Sequence, residues 1–359
     1  MKPQTQLFPH PIVIAHRGAS GYLPDHTLEA YALAIEQGAD YIEPDLVTTK
    51  DGHLIARHEP NLIATTNVAG RPEFTDRMRK AKIDGVDEEG FFASDFTLAE
   101  IKTLSAVQQF AERDQSLNGR FKVPTFTEII DLAKRKSYEK HRTIGLYTET
   151  KHPTYHRMLG LALEDRLIAA LKAAAWHRRD APIFIQSFEP SSLRYLRERS
   201  QVTRVQLVMA SGVSADGALE FNPPNGRPYD WTVSGEARTF RDLVTPQGLA
   251  EIKTYADGVG LWKPLIVSSS TQASGVAAYN EANRTLLPPS QLIDDAHRTG
   301  LLVHAWTFRN EQHRLAADYK GNPVNEYLKF FQLGVDGVFS DFADTAVTAR
   351  AIYQLQLDK

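Results

Sequence analysis

Residues 12–27 read Ile12-Val-Ile-Ala-His16-Arg17-Gly18-Ala-Ser-Gly-Tyr-Leu-Pro-Asp-His-Thr27. A β-branched apolar run stops at His16-Arg17-Gly18. A helix start follows, with Thr27 as N-cap and Gly38 just past the end. A titratable imidazole and a fixed cation therefore sit at the carboxyl end of a strand. That is where α/β enzymes hold their chemistry.

The same strand–helix alternation runs outward from this segment. Strands are predicted over 11–15, 40–47, 143–150, 182–187, 203–209, 258–262, 301–307 and 337–340, with a short one over 53–58. Helices are predicted over 27–37, 97–104, 127–136, 155–175, 191–199, 246–255, 289–299 and 343–353. Eight parallel-type strands separated by helices predict the α/β class and a (β/α)8 TIM barrel, one domain over 1–359. Residues 59–122 are polar, carry mixed charges over 71–89 and are too long for a barrel loop. They are predicted as an insertion within the barrel. A Gly/Pro/Asn-rich loop is expected over 211–229.

Composition narrows the function. The 41 basic and 44 acidic residues leave a net charge of −3. No basic excess favours a nucleic-acid surface. An anionic substrate would need local positive charge from a metal or from chosen Arg and Lys. Cysteine is absent, which excludes disulfides, zinc thiolates and cysteine nucleophiles and fits an oxidising compartment. No apolar stretch approaches the roughly twenty residues of a membrane span. Residues 1–11 show no apolar signal core. The chain is expected to be periplasmic or secreted after signal removal, with the cytoplasm as the alternative.

Side chains alternate faces along a strand, so Glu43 and Asp45 project together, as do Glu149 and Lys151. Pro44 marks a ladder that is ending. If these strands are neighbours, Glu43, Asp45 and Glu149 converge. At roughly 4 Å and an effective dielectric near 20, each pair of carboxylates repels by about 4 kcal/mol. A hard divalent cation, Ca2+ or Mg2+, removes that cost and prefers oxygen ligands. Arg17 offers bidentate phosphate recognition and Lys151 a point charge. His16 and His58 then form an acid/base pair for phosphoryl chemistry. Each residue alone has a plain structural reading; the conjunction at strand ends carries the case. His26 and His53 read as incidental. His304 reads as buried and hydrogen-bonded. His152 and His156 are placed in a loop within reach of substrate. Ser187 lacks a nucleophile elbow.

At these residues the chain resembles the glycerophosphodiester phosphodiesterase family. The carrying motifs are His16-Arg17-Gly18, Leu23-Pro-Asp-His-Thr27, Glu43-Pro-Asp45, His58, Val123-Pro-Thr-Phe126, Glu149-Thr-Lys151, Gln186-Ser-Phe188, His304-Ala-Trp306 and Asp336-Gly-Val-Phe-Ser-Asp341. The stretch after His58 resembles the insertion of the periplasmic, calcium-dependent branch. So do Ala19-Ser-Gly-Tyr-Leu-Pro24 and Tyr255-Ala-Asp-Gly-Val-Gly260.

The resemblance implies a barrel of the phospholipase C-like phosphodiesterase type. It would hydrolyse glycerophosphodiesters such as glycerophosphocholine or glycerophosphoethanolamine to sn-glycerol 3-phosphate and an alcohol. It implies Glu43, Asp45 and Glu149 as ligands of one divalent cation, calcium before magnesium. His16 and His58 would be the acid/base pair, Arg17 and Lys151 the phosphate binders, and Phe188 and Trp306 the glycerol pocket. The implied partner is a small-molecule substrate, with no nucleic acid, no stable membrane insertion and a homodimer allowed. Asp25 stands where the family usually carries Glu, and Thr148 where Pro is common. Two rivals are a lysophospholipid or sphingomyelinase D-like phosphodiesterase on the same barrel, and a binding protein on a degenerate one.

Overall fold

The computed structural model describes residues 11–275, 277 and 280–357. Eight strands form the barrel: β1 (Ile12–His16), β2 (Tyr41–Glu43, resuming past Pro44 as Asp45–Thr48), β3 (Gly145–Thr150), β4 (Ile183–Ser187), β5 (Thr203–Val208), β6 (Gly258–Trp262), β7 (Leu302–Phe308) and β8 (Gly337–Ser340). Neighbours run parallel in chain order, and β1 pairs with both β2 and β8, which closes the sheet. The expected TIM barrel is the observed one.

Alternation along each strand sorts the side chains. Ile12, Ile14, Tyr41, Tyr147, Val205 and Phe339 pack together inside the barrel with Phe184 and Trp306. Their sequence neighbours Val13, Ala15, Ile42, Leu146, Ile183 and Ile185 belong to the layer between strands and helices. His16, Glu43, Glu149 and Gln186 share the inward parity. Each stands at or next to the carboxyl end of its strand, where the apolar filling gives way to polar groups. The filling beneath is aromatic. Tyr147 stacks on Phe184 at 4.8 Å between centroids, meets Phe339 edge-on at 4.8 Å, and its hydroxyl lies 2.6 Å from His304 Nδ1. His304 is thus buried and bonded, as expected. Such ring pairs contribute roughly 0.5–1.5 kcal/mol each beyond area burial, and they keep water from the base of the site.

Register completes the positioning. His16 pairs with Glu43, Asp45 with Glu149, and Glu149 with Gln186. Gly18 (φ +89) turns the chain away from β1 so tightly that a Cβ would lie 2.7 Å from the Ala30 carbonyl carbon; only glycine fits. Thr27 then caps the helix Leu28–Glu36 by accepting from Ala30 N.

Several expectations are corrected. The strand over 40–47 is broken at Pro44, which cannot donate to a ladder, and restarts rather than ending. The short strand is Leu54–Ala56, antiparallel to Asp45–Thr48, and stops before His58. The helix over 155–175 is two, Pro153–Met158 and Leu163–Ala173, divided around Gly160 (φ +71). The helix over 97–104 is a single turn, Leu98–Ile101. The helix Pro323–Leu333 between β7 and β8 was not expected. Yet Asn322 caps it, Pro323 opens it and Gly334 closes it, all standard signals. The loop over 211–229 contains the small ladder Gly212–Val213 with Leu219–Glu220.

Segment 59–122 adds the hairpin Arg79–Ile83/Val86–Gly90 and several 3-10 turns. It has its own apolar cluster, in which Leu62, Phe74, Phe91, Phe96, Ile101 and Leu104 pack with Val47 and Ile55. Among the described residues no helix is long and apolar enough to cross a membrane. The expectation about a leader concerns residues 1–11, of which 1–10 lie outside the described residues.

Candidate active site

A cavity of about 770 Å³ opens at the carboxyl ends of the strands. His16, Arg17, Glu43, Asp45, His58, Glu149, Lys151, Phe188 and Trp306 all line it. The structure thus brings every one of the expected site residues to one place.

Three carboxylates form its base. One oxygen from each of Glu43, Asp45 and Glu149 lies within 4.8 Å of the others, and all three residues are buried. Glu43 Oε2 accepts from the Arg17 backbone N–H at 2.9 Å, and Oε1 from the Gln186 side chain at 3.0 Å. Asp45 Oδ2 accepts from His26 Nε2 at 2.9 Å, while its buried Oδ1 has no partner. Glu149 lies 3.4 Å from Lys151 Nζ. Burial, then the neighbouring Asp45 and Glu149 charges, holds Glu43 well above the usual carboxylate range. Burial lifts Glu149 to about 8 against the pull of Lys151. Burial also opposes ionising Asp45, but the His26 hydrogen bond and the charges of His58, His26 and Lys151 together outweigh it and hold this carboxyl low. Two of three acids resist ionising because they are buried beside the Asp45 charge, an arrangement that a bound cation would relieve. The donors are all oxygens, as a hard divalent ion requires.

His26 was read as incidental, and the structure corrects this. It is fully buried, with Tyr31 OH on Nδ1 at 2.8 Å and Asp45 on Nε2. A carboxylate only accepts, so Nε2 carries the proton and Nδ1 accepts from the tyrosine. His26 therefore fixes the rotamer of Asp45.

Two cations face the carboxylates. Arg17 adopts φ +60, which brings its N–H onto Glu43. Its guanidinium lies 3.5 Å from both Asp25 and Asp45, and its buried Nε has no hydrogen-bond partner. Asp25 also lies 3.5 Å from Arg57 and accepts from Gln109 at 2.8 Å, so the shortened acid anchors both arginines. Lys151 sits 5.5 Å over the Phe188 ring. Phe188 and Trp306 meet edge to face at 5.8 Å, an apolar wall beside the charged base.

His16 and His58 are each pinned through Nδ1. His16 Nδ1 lies 2.6 Å from Asp341 Oδ1, and His58 Nδ1 2.6 Å from Glu59 Oε1. Both acceptors are carboxylates, so both imidazoles are Nδ1–H tautomers with Nε2 as the free base. Burial and then the Arg17 charge lower His16 to about 4 and His58 to about 3, so both are neutral at physiological pH. Asp341 and Glu59 were missed as site residues. Asp341 lies just past β8 and also accepts from Arg113 at 2.6 Å and Arg309 at 2.8 Å. His152 and His156 do not line the cavity. His152 is held between Glu59 and Asp84, and His156 is fully buried.

A profile of the Glycerophosphoryl diester phosphodiesterase family matches residues 16–345. The chain belongs to this family. A glycerophosphodiester phosphodiesterase of Arabidopsis thaliana is 35% identical over 349 residues, covering 92% of this chain and 84% of that protein. One from Bacillus subtilis is 30% identical, covering 93% and 84%. The crystal structure of a Silicibacter pomeroyi protein described as a glycerophosphoryl diester phosphodiesterase superposes with a TM-score of 0.61 at 18% identity, covering 96% and 95%. An Oleispira antarctica phosphodiesterase solved with sn-glycerol-3-phosphate superposes at 0.56 with 19% identity, covering 95% and 97%; the two structures bear on the fold. Within the family match lie all the residues described above, including Gln186, whose amide orients Glu43. Gln186 was quoted in a motif but given no role; its inward parity next to Glu149 was the available signal.

Proposed function

We propose that the chain is a metal-dependent glycerophosphodiester phosphodiesterase, releasing sn-glycerol 3-phosphate and an alcohol. The observation that carries the reading is the convergence of three buried carboxylates, two cations and two Nδ1-pinned histidines on one cavity. Family membership supplies the substrate class.

Glu43, Asp45 and Glu149 would hold the cation. When bound it neutralises the carboxylates and offsets charge developing on phosphorus. Calcium is the proposed ion: three buried carboxylates converge, and calcium takes more oxygen ligands in a more flexible geometry than magnesium, which keeps several of its waters. The Arg17 guanidinium and the Lys151 ammonium bind the phosphodiester oxygens. One histidine Nε2 takes the proton of the attacking oxygen, either from water directly or from the glycerol 2-hydroxyl, in which case a cyclic phosphate forms and water opens it in a second step. The other returns a proton to the departing alkoxide. The phosphodiester anion between the imidazoles opposes the depression of their pKa values and favours the protonated partner. Phe188 and Trp306 take the apolar face of the glycerol carbons. The proposed compartment is the periplasm or the cell exterior, where a chain free of cysteine has no thiol to oxidise.

The test is an assay for released glycerol 3-phosphate over several glycerophosphodiesters and one lysophospholipid, with and without chelator. Turnover of the diesters that EGTA removes and calcium restores supports the reading. Chelator-insensitive turnover, or activity on the lysolipid alone, rejects it.

A further inference from the structure

A chain of ionic contacts leads from the cavity into segment 59–122. His58 Nδ1 meets Glu59 Oε1 at 2.6 Å; Glu59 Oε2 meets His152 Nε2 at 3.0 Å; His152 Nδ1 meets Asp84 Oδ2 at 2.7 Å. Both nitrogens of His152 face carboxylates. Both must donate, so this ring is an imidazolium locked between two acids. Asp84 and Gly85 are the two-residue turn of the hairpin Arg79–Ile83/Val86–Gly90, with φ +44 and +85. That is the Asp-Gly turn a tight hairpin favours. Ile83, beside the tip, packs with Phe92 and Tyr155. Tyr155 belongs to the helix Pro153–Met158, which starts directly after His152. Asp84 and His152 are both non-glycine residues with positive φ, a conformation that costs energy and collects at functional positions.

We infer that the hairpin of segment 59–122 is a positioning device for catalysis: Asp84 fixes His152, His152 fixes Glu59, and Glu59 holds His58 in its working tautomer and orientation. None of the outer three residues touches substrate. The inference rests on the proposed role of His58 in proton transfer. It assigns the inserted segment a task in the reaction itself. A base oriented by a second group, itself oriented by a third, is a recurrent arrangement in proton-transfer sites, and losing an outer member typically reduces activity about 10–100-fold.

Asp84→Asn and His152→Asn are the informative variants, because asparagine tolerates the left-handed backbone and Asn-Gly makes the same turn. In the calcium-loaded full chain, Asp84→Asn should lower kcat about tenfold and His152→Asn about twentyfold, with KM within about twofold. The double variant should be no slower than His152→Asn alone, since both act through one path. The ring 15N signals of His58 should show the Nδ1–H tautomer in the parent and a mixture in His152→Asn. Asp87→Asn, an exposed carboxylate on the same hairpin, should leave kcat unchanged. Wild-type kcat in Asp84→Asn, multiplying effects in the double variant, or a change confined to KM overturns the inference. His58→Ala separates the two levels. If it is inactive while Asp84→Asn and His152→Asn turn over normally, the relay alone is wrong. If His58→Ala itself turns over normally, the role of His58 is wrong and the relay falls with it.

Discussion

Replacing Asp341 by asparagine should disable His16 without removing a single heavy atom. Three donors converge on this buried carboxylate: His16 Nδ1 on Oδ1, and Arg113 Nη2 and Arg309 Nε on Oδ2. An amide offers one oxygen and one NH2. Turning the NH2 toward the two guanidiniums would set donors against two fixed charges. The amide therefore keeps its oxygen on the arginines and presents NH2 to His16. Nδ1 must then accept, and the proton moves to Nε2, the nitrogen the reaction needs free. A wrong-tautomer imidazole costs about three to four decades of rate, or roughly 4–5.5 kcal/mol in the barrier. Stability should fall less, by about 1–3 kcal/mol, because the arginines keep an acceptor and Arg113 retains Glu311 at 2.7 Å. The assay is kcat with saturating calcium beside urea unfolding of both proteins. His16 titrates near 4, so the loss should persist across about pH 6–9, where the ring is neutral in either protein. Asp341→Asn with kcat within about fivefold of the parent would refute the tautomer reasoning.

His16→Ala and His58→Ala should each remove turnover while circular dichroism and calcium binding stay close to the parent; near-normal rates in either would reject the acid/base pair. Glu43→Gln and Asp45→Asn should weaken calcium affinity at least about tenfold by titration calorimetry, with excess calcium restoring part of the activity; unchanged metal dependence would reject the ligand set. For His152, burial alone would lower the pKa, but Asp84 and Glu59 raise it to about 10 from 6.5. A folded-state value above the unfolded one stabilises fully below about pH 6.5, and that stability is lost as pH rises toward 10. Urea-unfolding free energy should decline over that window, and His152→Gln should flatten the decline; an unchanged slope would reject the ion pairs.

The parts legible in sequence are those that depend on periodicity. Inward parity along β1, β2 and β3 is enough to gather His16, Glu43, Asp45 and Glu149, because strand neighbours in a barrel follow chain order. The missed residues depend on contacts between distant segments. Asp341 meets Arg113 across 228 positions, and no local pattern announces that pairing. His26 stands at a left-handed residue before a helix cap; its burial against Asp45 goes with a backbone bond from His26 N to the Arg17 carbonyl at 3.0 Å, across nine positions and a turn. The helix Pro323–Leu333 and the Asp84-Gly85 turn are different failures, since their signals were local and present.

The broken second strand shows why the site tolerates a rule-breaking residue. Pro44 interrupts the ladder of β2, and a central strand would ordinarily exclude it. Both segments pair with β3, and the Pro44 carbonyl still accepts from Glu149 N at 2.9 Å; what changes at Pro44 is the other edge, where Tyr41–Glu43 pairs with β1 and Asp45–Thr48 with Leu54–Ala56. Glu43 is thereby placed next to His16, and Asp45 next to Glu149, from a single strand. The turn over 49–53 then sends the chain back through Leu54–Ala56, which delivers Arg57 to Asp25 and His58 to the cavity. A strand paired with β1 along its whole length would leave no free edge for Leu54–Ala56. Local pairing is lost at one position, and a ligand pair, an anchor and a proton carrier are set in place around it.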